Sequence, residues 1–157
     1  MKLFVTALTL SLGTLSIAGP ASAARGPWAT INFCDTVAHP NAVGVRAAMP
    51  AASAAGKLLM RFKIQYRQSD GSWQLIGKSG DSGFVKVGRT TTAQESGWTF
   101  QFEPPRGGSY VMRAIVIFRW DFRSRPDRGA RRVTTVGHRG TTGADPSDFS
   151  AATCEIS

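Results

Sequence analysis

The chain has 157 residues, with 19 Lys+Arg against 10 Asp+Glu, two cysteines and two histidines. It has room for one ordinary domain and little material for metal or nucleophile chemistry. The formal charge of +9 excludes an acidic, solvating tail and makes an anionic partner a candidate.

Residues 1–23 carry Lys2, an apolar run from Leu3 to Ile17, a break at Gly19-Pro20 and the small-residue end Ala21-Ser22-Ala23. This order reads as a secretory signal peptide cleaved before Ala24, since the apolar run is shorter than the ~20 residues of a spanning helix. Residues 24–157 are expected to form a single domain of 134 residues with 18 basic and 10 acidic side chains and no membrane span. Export places the two cysteines where disulfides persist. Cys34 and Cys154 are the only pair available, and they are expected to tie the first strand to the last.

The first candidate strands are Trp28 to Cys34 and Val43 to Met49, followed by the connection Pro50 to Lys57 (PAASAAGK). From Leu58 the run LLMRFKIQYRQ alternates, with Leu58, Met60, Phe62, Ile64 and Tyr66 on one side and Arg61, Lys63, Gln65 and Arg67 on the other. That is the period of a half-buried strand. Asp70-Gly71 then signals a hairpin, and the returning SWQLIG is expected to turn Trp73 and Leu75 inward. Phe84 to Val87 is a short candidate, and Trp98, Phe100 and Phe102 alternate with polar residues up to a turn at Pro104-Pro105-Arg106-Gly107-Gly108. The longest strand runs from Tyr110 to about Phe122, with an unbroken apolar even face and an odd face apolar in the middle and charged at its ends. Arg131 to Gly137 and Ser150 to Ile156 complete the set. Eight or nine short strands, Gly- and Pro-rich turns and no helical period of any length predict an all-β antiparallel sandwich or barrel.

RFKIQYRQSDGSW resembles the third strand and following hairpin of fibronectin type III and immunoglobulin-like domains, with Tyr66 in the place of their core-facing tyrosine. PPRGGSYVMRAIV resembles the loop and sixth strand, which implies that Tyr110 packs at the corner. The resemblance covers Leu58 to Trp120, implies a two-sheet immunoglobulin-like sandwich, and departs from fibronectin type III at VGVRAAM, which lacks the core tryptophan. The general pattern also resembles that of secreted actinobacterial proteins.

Gly80-Asp81-Ser82-Gly83 matches the nucleophile motif of trypsin-like proteases, and Thr36-Val37-Ala38-His39 resembles their histidine segment. That fold needs two barrels, for which the chain is too short, so the motif reads as a loop between strands. His39 and His138 lack short-range partners for zinc, and Asp145 and Asp148 alone make no calcium loop. No catalytic residue, metal or cofactor is therefore expected.

Arg119 to Arg139 holds seven arginines against Asp121 and Asp127. In sandwiches of this type the third, sixth and seventh strands share a sheet. Arg61, Lys63 and Arg67 are then expected beside Arg113, Arg119 and Arg123, with Arg131 and Arg132 flanking and Arg125 and Arg128 in the adjoining loop. Two readings stand for this face. It binds an anionic polymer or cell-envelope component, or it is an ordinary solvated surface enriched in arginine by genome composition. Nucleic acid is disfavoured because the aromatics are expected to alternate inward. The function expected is a secreted, non-enzymatic binding or adhesion module. The alternative is a small secreted protease inhibitor or hydrolase, an inhibitor presenting the Gly77 to Phe84 or Ser124 to Ala130 loop.

Overall fold

The structure, a computed structural model, describes residues 26–103 and 106–157. The expected leader and Pro104-Pro105 lie outside the described residues. Nine strands are formed: β1 (Trp28–Thr36), β2 (His39–Met49), β3 (Gly56–Arg67), β4 (Trp73–Leu75), β5 (Val85–Arg89), β6 (Gln94–Gln101), β7 (Tyr110–Phe122), β8 (Arg128–Val133) and β9 (Cys154–Ile156). Among the described residues the helical structure is a single 3-10 turn, Lys78–Gly80, and no helix is long and apolar enough to cross a membrane.

The strands make two antiparallel sheets. One has three strands in the order β1-β2-β6; the other has six, built on β4-β3-β7-β8 with β5 also on β3 and β9 also on β7. The first, second and fifth strands of an immunoglobulin-like domain thus face the third, sixth and seventh, and the fold is an all-β two-sheet sandwich of immunoglobulin-like, fibronectin type III-type topology. β4 and β5 pair with opposite halves of β3 along the same edge, Gln65–Arg67 and Lys57–Met60. β8 and β9 likewise share the far edge of β7. Each edge of the large sheet is therefore one strand broken in two.

The alternation read from the sequence builds the core. Leu58, Met60, Phe62 and Ile64 of β3 and the even residues of β7 from Met112 to Trp120 are at most 2% exposed, packed against Ile31, Val43, Val45 and Met49 of the small sheet. Each such aliphatic or aromatic side chain contributes about 1.5–3 kcal/mol relative to leaving it in water. Trp120 closes one end of the core, and its Nε1 donates to the Pro50 carbonyl at 3.0 Å. It supplies the buried tryptophan that β2 lacks.

Residues 134–153, between β8 and β9, leave the large sheet and reach the small one. Thr135 N donates to Ala29 O at 2.9 Å, and Ala151 exchanges hydrogen bonds with Ile31. A bulge between Ile31 and Phe33 leaves Asn32 unpaired in the ladder; its side-chain amide donates to the carbonyls of Thr142 and Gly143 at 3.3 and 3.0 Å. The same bulge returns Cys34 to the inner side, where it is bonded to Cys154 of β9, as the sequence led one to expect.

Three expectations are corrected. In the β3–β4 hairpin Trp73 lies opposite Arg67 and Leu75 opposite Gln65, and directly opposed residues share a face, so Trp73 and Leu75 face outward. Tyr110 is 41% exposed rather than packed at the corner. The strand expected over Arg131 to Gly137 begins at Arg128 and ends at Val133; Thr134 N still donates to Ala114 O of β7, and from Thr135, whose N donates to Ala29 O, the chain crosses to β1.

Candidate anion-binding face

The β3–β7 register sets Arg61 against Ile117, Lys63 against Ile115, Gln65 against Arg113 and Leu59 against Arg119, and β8 sets Arg131 against Ile117. Arg61, Lys63, Arg67, Arg113, Arg119 and Arg131 consequently project from the outer face of the six-stranded sheet. Strands lie about 4.8 Å apart, so this is one continuous surface. Sequence reasoning missed Lys57, Lys86 and Arg89, which the same register adds to it: Lys57 stands opposite both Asp121 and Arg89, and Leu59 opposite Lys86. Lys57 continues the odd positions of β3 and was within reach of the alternation. Lys86 and Arg89 were not, since three residues apart in a regular strand they would face opposite sides.

The 76–84 connection runs along the β3 edge and turns Asp81 onto this face. Arg61 donates twice to the Asp81 carboxylate, at 2.8 and 2.6 Å, and Lys63 Nζ lies 3.5 Å from it. The Arg61 hydrogen bonds, helped by the Gly83 amide and the Lys63 charge, hold the Asp81 carboxyl well below the usual carboxylate range against an opposing desolvation effect. Ser82 is equally committed: its hydroxyl accepts from Phe62 N at 2.9 Å and donates to Gly83 O at 2.7 Å. His39 sits on the other sheet, stacked on Phe33 at 4.2 Å. The Gly-Asp-Ser-Gly motif thus fastens a loop to β3.

Two aromatic rings lie on the same face. Arg113 stacks on Trp73 at 4.2 Å while its Nε donates to Gln65, and Arg119 and Arg61 lie over Phe84 at 4.6 and 5.8 Å. Partial burial and the neighbouring Arg131 charge lower the Arg113 pKa. The expectation that the aromatics all alternate inward is therefore corrected. The hairpin register turns Trp73 out, and Phe84 precedes a bulged strand.

Arg125, Arg128 and Arg132 separate from this surface, and Arg123 stands at its rim. Arg125 covers the Phe122 ring at 3.9 Å and Arg128 the Trp120 ring at 4.0 Å; both rings belong to the inner side, so these two cap the end of the core. Arg132 lies opposite inward Val116 and donates to the Pro27 and Arg131 carbonyls. Arg123 follows the last residue of β7 and is exposed at the rim of the outer face.

The acidic side chains set against the face are Asp81, Asp121 and Glu155, with Asp127 reaching Arg119 at 3.9 Å from the β7–β8 loop. The small sheet's outer face is different: its strand arginine, Arg46, is paired with Glu95 at 3.5 Å. Asp145 is occupied by the Thr36 hydroxyl, and no group of three His, Cys, Asp or Glu residues is arranged to hold a metal among the described residues. No protein-family model and no curated protein matches the chain.

Proposed function

We propose that the protein is an exported, non-enzymatic binding module that holds an anionic polymer of the cell envelope or extracellular space against the outer face of its six-stranded sheet. The observation that carries this reading is the asymmetry of the sandwich. Basic side chains from β3, β5, β7 and β8 gather on one outer face with few carboxylates, while the other face has its strand arginine paired. Genome composition can raise the number of arginines, but it does not sort them by face. The Gly77 to Phe84 loop, a candidate inhibitor loop by sequence, lies tied to β3 through Asp81 and Ser82, which favours the face over a protruding loop.

Retention on immobilised heparin across a salt gradient tests the reading. Binding by counterion release weakens linearly in a log–log plot against salt, with a slope that falls by about one for each contact removed. The triple variant Arg113→Ser, Arg119→Ser, Arg131→Ser is expected to elute at clearly lower salt than wild type. The triple variant Arg125→Ser, Arg128→Ser, Arg132→Ser removes the same charge from off the face and is expected to elute close to wild type. Equal displacement of both variants would reduce the interaction to net charge and end the proposal.

A further inference from the structure

We infer that the end of this face holds a discrete seat for a tetrahedral oxyanion, a phosphate or sulfate group, formed by Lys57, Lys86, Arg89 and Arg123; the inference deepens the binding-face reading and rests on it. The four side chains line a cleft of about 380 Å³, within the range of about 300–1,000 Å³ typical of small-ligand pockets. All four are exposed, and none forms an ion pair among the described residues. The lining carboxylate is Asp121, which leaves an excess of positive charge in one concavity. Elsewhere on the face Asp81 neutralises much of the Arg61 and Lys63 pair.

The cleft depends on one local irregularity. β5 carries a bulge against β3: Lys57 pairs with Arg89 and Leu58 with Gly88, but Leu59 pairs with Lys86, leaving Val87 as the extra residue. In a regular strand Lys86 and Arg89 would face opposite sides. The bulge brings both onto the outer face and lets Val87 pack against the core, a re-aiming that bulges commonly perform near binding sites. Gly56 fixes the third side. It pairs with Phe122, and a Cβ there would lie 2.1 Å from the Asp121 carbonyl oxygen, so only glycine lets β3 approach β7 closely enough to set Lys57 beside Asp121 and Arg123. The walls are held by backbone: Thr90 N donates to Gly56 O, Ala52 N to Thr90 O and Arg123 N to Ala55 O, at 3.3, 2.7 and 3.2 Å, while the buried Thr90 hydroxyl donates to Ala54 O at 2.6 Å. An oxyanion entering here meets donors on a frame that is already ordered, which lowers the ordering cost of binding. Its oxygens can accept several charge-assisted hydrogen bonds at once.

The test is titration of isotopically labelled protein with inorganic phosphate and, separately, inorganic sulfate, followed by backbone amide resonances. Saturable shifts concentrated at residues 55–57, 86–91 and 121–123 are expected. The double variant Lys86→Ser, Arg89→Ser should bind about tenfold more weakly or worse, with its other resonances unchanged as evidence of an intact fold. The variant Arg106→Ser, Arg139→Ser, at exposed positions outside the strands of the face, should bind as wild type does. Preference for phosphate or for sulfate identifies which ester the polymer carries. Shifts that fail to saturate and spread over all arginines and lysines, or unchanged affinity in Lys86→Ser, Arg89→Ser, overturn the seat. Heparin elution separates this failure from that of the wider reading. If retention depends on Arg113, Arg119 and Arg131 but not on Lys86 and Arg89, the face stands without the seat. Saturable phosphate binding without heparin retention leaves the seat and removes the face.

Discussion

Asp81 shows how a single side chain reshapes a charged surface. Its carboxylate is held ionised by Arg61 and Lys63, so its folded-state pKa lies below the unfolded value of ~3.9. The stability it contributes is complete above that value and is lost as pH falls through the folded pKa. Asp81→Asn is expected to lower the urea midpoint relative to wild type at pH 6, with the difference narrowing steadily below about pH 4; a gap that stayed constant across the acid range would refute the assignment. Trp120 makes a second residue-level case. Trp120→Phe keeps an aromatic ring in the core but removes the donor to Pro50 O and leaves a void where the indole was. The expected loss is about 1–3 kcal/mol in denaturant unfolding. The inward position of Trp120 was legible in the sequence. The role of Asp81 was not, because it lies in a connection without periodicity, brought to the sheet by the Lys63–Asp81 bridge and the Ser82–Phe62 hydrogen bonds.

Among the elements, legibility follows length. β7 was readable from Tyr110 to Phe122 because its even positions are apolar throughout and buried from Met112 on, and a wrong register would have exposed that whole apolar face. β4 has three residues, so its facing is set by the hairpin turn and not by its own pattern, and Trp73 was read inward for that reason. β5 conceals Lys86 and Arg89 behind an inserted Val87 that no period of two can anticipate. β9 is as short as β4; of the strand expected over Ser150 to Ile156 only Cys154–Ile156 forms, on β7, and what was foreseen is its covalent tie to β1, the Cys34–Cys154 bond across 120 positions. In the chain-entropy account a closed loop of that length stabilises by about 5 kcal/mol, and measured losses run at about 2–5 kcal/mol. The double variant Cys34→Ala, Cys154→Ala should therefore unfold at lower denaturant by an amount in that range and show faster amide exchange at 154–156 than in the middle of β3. Equal protection in both segments would mean that the 134–153 segment alone holds the edge.

For the whole molecule, the +9 charge acts on folding and on binding in opposite directions. Crowded arginines repel one another in the compact state, and salt at ~0.15 M shortens the screening length to about 8 Å, so raising ionic strength from a low value to that level should raise the thermal midpoint while weakening heparin retention. Heparin at low salt should raise the midpoint further by mass action, and an uncharged dextran at the same mass concentration should not; matching effects of the two polymers would exclude specific stabilisation by the anion. A polyanion long enough to hold several copies also concentrates them, as any multivalent scaffold does, and concentrated sheets with open edges tend to join edge to edge. The large sheet has no long uninterrupted edge to offer. One side is divided into β4 and β5 and the other into β8 and β9, and the 134–153 segment occupies the side of β1 through Ile31 and Ala151. If the outer face holds a polymer as proposed, the interrupted edges of the large sheet check strand-by-strand joining of neighbouring copies there, and the uninterrupted edge left to guard is β6, the eight-residue outer strand of the small sheet.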